Sequence, residues 1–420
     1  MHGYIQRQTG ARIEKMLSRA PVTVILGPRQ CGKSTLAKRL ITGKDAVYLD
    51  LQNRADLNKL HEPELFFDLH RHHLVCLDEI QRVPDFFTAL RSEIDRDRRP
   101  GRFLLLGSAS RDLIRQSSET LAGRIAYLDL TPFIFSEVIH HRALMAFWLR
   151  GGFPESILAP DDETSMEWRL DFVRSYLERD IPALGVSLAV PAMERFWLLL
   201  AHYHGQTVNY SKLAAAADLS IPSVKRYLSI LEQTYMIRLL QPYSANLKKR
   251  LVKSPKLYIR DSGILHALLD IETCDDVLAN PVVGVSWEGM ALENILAVHR
   301  RYRPFFIRTS NGAEIDLVLE KGREKFFFEF KAGKAPKLSR GFYELSGQFA
   351  PDRCFIISPT DESYVYDHNV WVMTLKDALR GDLFTRYSKR VRGDFSTTKD
   401  TKNHEKGSEN ERELTTDKHR

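Results

Sequence analysis

Short apolar runs alternate with amphipathic stretches over the first 140 residues. The runs are VTVILG (22–27), AVYLDL (46–51), HLVCLDE (73–79), RFLLLGS (102–108) and IAYLDL (125–130). Between them, positions 34–40, 85–96 and 110–117 carry helical spacing of their apolar residues. Uninterrupted apolar strands alternating with helices predict a parallel sheet covered on both faces. Downstream, GGFPES (151–156) reads as a turn and 161–163 as a polar break. Positions 166–200 have helical period, interrupted between Pro182 and Pro191. Positions 209–243 read as helix, turn, helix and strand, and 305–333 as a hairpin. The last 28 residues hold only Phe395 and Leu414 as strongly apolar side chains. So little apolar surface cannot offset the entropy of ordering, and 393–420 is expected to be a disordered tail.

Composition narrows the class. The 420 residues suggest two to four domains. Hydrophobic residues at 43% and charged residues at 27% exclude a fully disordered chain, collagen or a small disulfide scaffold. No apolar run is long enough to span a bilayer, so no membrane association is expected. MHGYIQRQTGARIEK has no apolar core, which predicts no cleaved leader. Cys31, Cys76, Cys274 and Cys354 lie far apart and suit reduced thiols in a cytoplasmic protein. The tail's seven acids and six bases give −1, which leaves +8 of the net +7 on the rest. That charge permits a nucleic-acid partner without arguing for one.

GPRQCGKST (Gly27, Pro28, Arg29, Gln30, Cys31, Gly32, Lys33, Ser34, Thr35) fits the phosphate-loop pattern G-x-x-x-x-G-K-[ST] between a strand and a helix. Its glycines let backbone N–H groups curl around phosphates, and the next helix offers them its positive end. Lys33 is then the cation for the β- and γ-phosphates of ATP, and Ser34 a Mg²⁺ ligand. LVCLDE supplies the second carboxylate about 45 residues after the loop. Asp78 would hold Mg²⁺ through water, and Glu79 would polarise the attacking water. Ser108, closing FLLLGS, is the expected γ-phosphate sensor. Arg124 is the candidate arginine finger, with Arg111 and Arg179 as competitors. Cys31 is either a tolerated small side chain or a reactive thiolate.

Two further constellations carry chemistry. In 209–243, Ser211 is expected to cap one helix and Pro222 to start the next. That second helix carries an apolar stripe of Val224, Tyr227, Leu228 and Leu231, with Lys225 and Arg226 outward. Runs 237–242 and 256–259 flank a loop holding Lys248, Lys249, Arg250 and Lys253, a basic wing suited either to DNA phosphates or to packing against protein. In 305–333, a turn at Gly322-Arg323 pairs Lys321 with Glu324, and hence Asp316 with Glu329 and Glu314 with Lys331. Alternation places these four charged side chains on one face, opposite Ile315, Leu317, Phe328 and Phe330. Opposed carboxylates repel, so a divalent cation between Asp316 and Glu329 is expected, unless cross-strand pairs such as Glu314 with Lys331 suffice.

In this order, PVTVILGPRQCGKSTL, HLVCLDEIQRVPDF, FLLLGSAS, GGFPES and YLERDI resemble the prokaryotic AAA-superfamily ATP-binding proteins whose C-terminal half is a domain of unknown function. The resemblance covers roughly residues 5–390. It implies an α/β multidomain chain with these parts: a parallel-sheet P-loop ATPase core (1–140), a helical linker or lid (141–191), a winged helix (192–262) and an α/β domain similar to PD-(D/E)xK nucleases (263–392). Members commonly carry an aliphatic residue where Cys31 stands. The nuclease arrangement makes Asp316 the first acid and Glu329-Phe330-Lys331 the E-x-K unit. Glu288 is then the helix acid, with Glu293 as fallback. Asp316, Glu329 and Lys331 would act in catalysis beside Lys33, Glu79 and Arg124. Asp78, Glu288, Asp316 and Glu329 would hold metal. Implied partners are ATP with Mg²⁺, and either double-stranded DNA or a protein client.

Overall fold

Five apolar runs form one all-parallel sheet in the order β2-β3-β4-β1-β5. Its strands are β1 (Val22–Leu26), β2 (Ala46–Asp50), β3 (Leu74–Asp78), β4 (Phe103–Gly107) and β5 (Ile125–Asp129). The computed structural model describes residues 3–83, 86–107, 121–183, 190–243 and 251–387. Ser108, Arg111, the expected helix at 110–117, Lys248, Lys249, Arg250 and the tail lie outside the described residues. Every residue of β1 and β4 is buried, because alternate side chains feed two separate cores. Val22, Val24 and Leu26 pack with Phe86, Phe87 and Leu90 on one face, whereas Ile25 packs with Ile13, Leu36 and Leu40 on the other. This two-sided burial is why these strands read as continuous apolar runs.

The polar break at 161–163 is a helix start. Asp161 accepts a 2.7 Å hydrogen bond from the Thr164 N–H and caps Asp162–Ser175. That helix runs into a π-helical turn, Tyr176–Asp180, inside the YLERDI segment. Helices Val190–His202, Tyr210–Ala217 and Ile221–Gln233 follow, then an antiparallel hairpin of β6 (Ile237–Leu240) and β7 (Lys256–Ile259). Asn209, not Ser211, caps the second of these helices, because its side chain sits one residue before the first helical position and reaches Lys212 N–H at 3.0 Å. Ser220 caps the third, which puts Pro222 at its second residue. Val224, Tyr227, Leu228 and Leu231 are buried, and Lys225 and Arg226 are exposed.

The C-terminal region is built on a six-stranded sheet in the order β12-β13-β11-β10-β9-β8. The strands are β8 (Arg303–Arg308), β9 (Glu314–Lys321), β10 (Glu324–Phe330), β11 (Arg353–Ile357), β12 (Tyr364–Asp367) and β13 (Val370–Met373). The β9–β10 register is the expected one, Lys321 opposite Glu324 and Leu317 opposite Phe328, around Gly322 at φ 61°. The expected face alternation fails at one point. From Phe305–Val318 to Ile307–Ile315, β9 advances three residues against two on β8, so β9 carries a one-residue bulge at 316–317. Ile315 therefore packs with Val318 and Phe327 rather than with Leu317 and Phe328.

The link at 151–153 joins the regions, and Pro154–Leu158, expected as part of a turn, is helical. Gly152 N–H donates to the Asp261 carboxylate at 2.8 Å, and Gly151 lies at φ +74°. A Cβ on Gly152 would come within 2.1 Å of the Phe133 carbonyl oxygen, so only glycine fits this approach.

Candidate functional site

The phosphate loop leaves β1 at its C-terminal end and closes on Gly32 at φ +93°, the N-cap of helix Lys33–Ile41. Gln30 is also left-handed, at φ 58°. The Lys33 ammonium is buried and donates to the carbonyls of Gly27 (3.1 Å) and Pro28 (2.7 Å). Asp78 ends β3, separated from β1 by β4 alone, which brings the ends of the two strands to one sheet edge. Its Oδ2 accepts from the Tyr48 hydroxyl at 2.6 Å, and its Oδ1 from Glu79 N–H at 2.9 Å. Ser34 lies close to the same hydroxyl, which brings the two expected Mg²⁺ ligands near one another. Burial, then the Asp78 carboxylate, push the Tyr48 pKa up and keep it a donor. Glu79 sits at φ 60°, a conformation costly for glutamate, and accepts from Gln81. Lys33, Ser34, Thr35, Gln30, Arg29 and Glu79 face one cleft of about 620 Å³, within the range of small-ligand pockets.

Arg7, which no sequence pattern singled out, and Asp180, within the YLERDI motif, secure the loop of this cleft. Arg7, 5% exposed, donates to the carbonyls of Cys31 (2.9 Å) and Pro132 (3.2 Å) and pairs with Glu137 at 3.2 Å, which fixes the loop from behind. Asp180, on the π-helical turn, pairs with Arg29 of the loop. Burial raises the Asp180 pKa, against the pull of Arg29. Asp180 falls within the YLERDI motif, on a π turn of the kind that gathers at functional positions, whereas nothing local in the sequence marks Arg7.

A second cluster lies where β7 meets the C-terminal sheet. The Lys256 ammonium, 3% exposed, stands 2.6 Å from Glu288, 2.7 Å from Glu314 and 3.7 Å from Asp316. Tyr258 also donates to Glu288. Asp316 Oδ2 accepts from Phe330 N–H at 3.0 Å, and Lys331 pairs with Glu329 at 2.8 Å. Burial, then the Glu288 charge, push Asp316 up to about 7. Burial, then Asp316, push Glu329 up to about 8, so it holds a proton at neutral pH. Glu314 is bonded to Lys256, and Lys331 to Glu329, so the expected Glu314–Lys331 cross-strand pair does not form. Among the described residues, no group of three or more metal-ligating side chains is poised around a vacant point. A divalent ion at Glu288, Asp316 and Glu329 does not fit this arrangement, because an ammonium already stands among the carboxylates.

Residues 19–139 match the AAA domain, 141–275 a domain of unknown function (DUF8612) and 283–378 a domain of unknown function (DUF4143). An uncharacterized protein of Mycobacterium tuberculosis is 39% identical over 364 residues, 86% of this chain and 81% of its own. The chain belongs to one family with that protein and carries an AAA domain. An uncharacterized relative of this AAA protein in Haemophilus influenzae is 22% identical over 349 residues, 73% of this chain and 82% of its own. Among solved structures, a Walker-type ATPase of Pyrococcus abyssi aligns at 16% identity with 63% of this chain and 96% of its own, TM-score 0.45. The RuvB Holliday junction branch migration motor of Thermotoga maritima aligns at 17% identity with 56% of this chain and 90% of its own, TM-score 0.29. Among the described residues of the AAA protein, no helix is long and apolar enough to cross a membrane.

Two expected residues of the AAA protein stand elsewhere. Arg124 pairs with Asp95 at 2.7 Å, and its carbonyl accepts from Val22 N–H at the start of β1. It therefore lies at the opposite end of the sheet from Lys33, about 16 Å away along a five-residue strand. Within one chain, Arg124 cannot reach the phosphate loop. Glu293, the fallback helix acid, pairs with Arg238 and with Arg260 at 2.9 Å. Burial works against it, but the two guanidinium groups hold its pKa down to about 2.

Proposed function

We propose that this AAA protein hydrolyses ATP with Mg²⁺ and uses nucleotide state to control how its middle and C-terminal regions engage DNA. One observation carries this reading. Lys33, Glu79 and Arg29 line one cleft, and Asp180 of the linker pairs with Arg29 there. Lys33 would hold the β- and γ-phosphates, and Ser34 and Asp78 the Mg²⁺, which would draw charge from the phosphates. Glu79 would orient the attacking water, with Ser108 as sensor. A phosphate that attracts Arg29 competes with Asp180, and so communicates with the helix leading into the middle region.

That region, helices followed by a hairpin, is read as a winged helix whose basic loop meets DNA phosphates. The C-terminal sheet is read as nuclease-like in form. Of its two versions, cutting or docking, the docking one is favoured by the Lys256 ammonium among the acids. The test is steady-state ATPase activity with and without duplex DNA, together with DNA affinity across salt. Duplex DNA is expected to stimulate turnover. Changing Lys248, Lys249 and Arg250 to Ala is expected to flatten the log–log salt slope by about 2–3. DNA-independent turnover with an unchanged slope would point to a protein client.

A further inference from the structure

The acid cluster draws its groups from two regions of the chain. Glu288 comes from helix Val283–Val298, and Glu314, Asp316 and Glu329 from β9 and β10. Lys256 comes from β7, whose backbone belongs to the middle region. Its strand pairs with β6, and Gly205 and Val208 N–H groups donate to the carbonyls of Leu257 and Pro255 at 2.7 and 2.8 Å.

We propose that the Lys256 ammonium, carried in by the β6–β7 hairpin, is the resident cation of this carboxylate site and excludes a divalent ion from it. The position favours this. Three carboxylate oxygens, from a helix and a strand of the other region, lie within 3.7 Å of Nζ. Hard divalent ions need such oxygens at about 2.0–2.6 Å, leaving no room for an ammonium beside them. An independent mark of latent cation affinity is Glu329, 7% exposed, whose Oε2 is buried without a hydrogen-bond partner. That oxygen is free to take a metal once the ammonium has gone.

The test uses the full chain with Lys33→Ala in every arm, free of nucleotide, so that its outcome is separate from the ATPase reading. Mn²⁺ is titrated by calorimetry, with free Mn²⁺ followed by electron paramagnetic resonance. The chain with Lys256 intact is expected to bind no Mn²⁺ at the cluster. Lys256→Ala is expected to bind one ion at least about 100-fold more tightly, since like-charge juxtaposition is removed. Adding Glu329→Gln should abolish that gain. Lys256→Met keeps the aliphatic stem and serves if the alanine variant does not fold. Tight Mn²⁺ binding by the Lys256-intact chain that is lost with Glu329→Gln would overturn the proposal. So would a folded Lys256→Ala or Lys256→Met chain that binds none.

Discussion

Lys33→Ala separates phosphate binding from the rest of the nucleotide site. Its ammonium is 5% exposed and rests on the carbonyls of Gly27 and Pro28, a poor substitute for phosphate oxygens. Truncating one partner of a buried, hydrogen-bonded charge pair costs about 2–5 kcal/mol. ATP affinity should therefore fall by about 30- to 4,000-fold, at 1.4 kcal/mol per tenfold. The two loop carbonyls also lose their donor, about 1–3 kcal/mol of stability, which urea unfolding without ATP would report. Glu79→Gln is the matched control, because Glu79 accepts from Gln81 at the rim of the cleft and is an oxygen acceptor, not the loop's cation. It should leave ATP affinity nearly unchanged and slow turnover by about 10²- to 10⁴-fold. Calorimetric ATP titration and single-turnover hydrolysis on both variants distinguish the roles. Equal loss of affinity in the two would refute the assignment of binding to Lys33 and water activation to Glu79.

Three further outcomes follow from the geometry. The raised pKa of Glu329 means that its contribution is fully present below the usual carboxylate value of about 4.3 and is lost as pH rises through about 8. Urea unfolding should accordingly show stability declining from pH 5 to pH 8, a decline that Glu329→Gln flattens, and parallel profiles would reject the buried proton. Gly152→Ala should destabilise the chain by about 1–3 kcal/mol, because its Cβ meets the Phe133 carbonyl at 2.1 Å; an unchanged urea midpoint would contradict the close approach. Asp180→Ala frees the half-exposed Arg29 and should tighten ATP binding by no more than about 5-fold, while DNA stimulation of turnover is lost. Retained stimulation would disconnect that ion pair from coupling.

Short-range patterns made much of this fold legible. The uninterrupted runs marked the parallel sheet because both its faces are buried, and G-x-x-x-x-G-K-S marked the loop because glycine and lysine are needed at fixed spacing. The β9–β10 register followed from one glycine turn. Long-range contacts left no such trace. Lys256 lies 60 residues before Asp316 in sequence, and Arg7 reaches the loop from the first strand-free segment. The bulge at 316–317 depends on pairing with β8, whose residues 305–308 the two-stranded hairpin reading left without a partner. The expected metal ion came from considering the carboxylates of one hairpin without the ammonium that another region provides.

Strand β7 has a consequence for how the chain can be divided. Leu257 and Ile259 pack into the core of the middle helices, whereas Tyr258 packs with Trp287 and Phe328 of the C-terminal region. Successive side chains of four residues thus belong alternately to two bodies. A fragment beginning at residue 263 would keep Glu288, Asp316 and Glu329 but lose Lys256 and Tyr258, leaving buried carboxylates without their main counter-ion. A fragment ending at 262 would bury neither the Lys256 ammonium nor the Tyr258 ring. The two regions should therefore melt in a single transition, and proteolysis should not release either one as a stable piece. The unit of folding here is larger than the unit of sequence recognition.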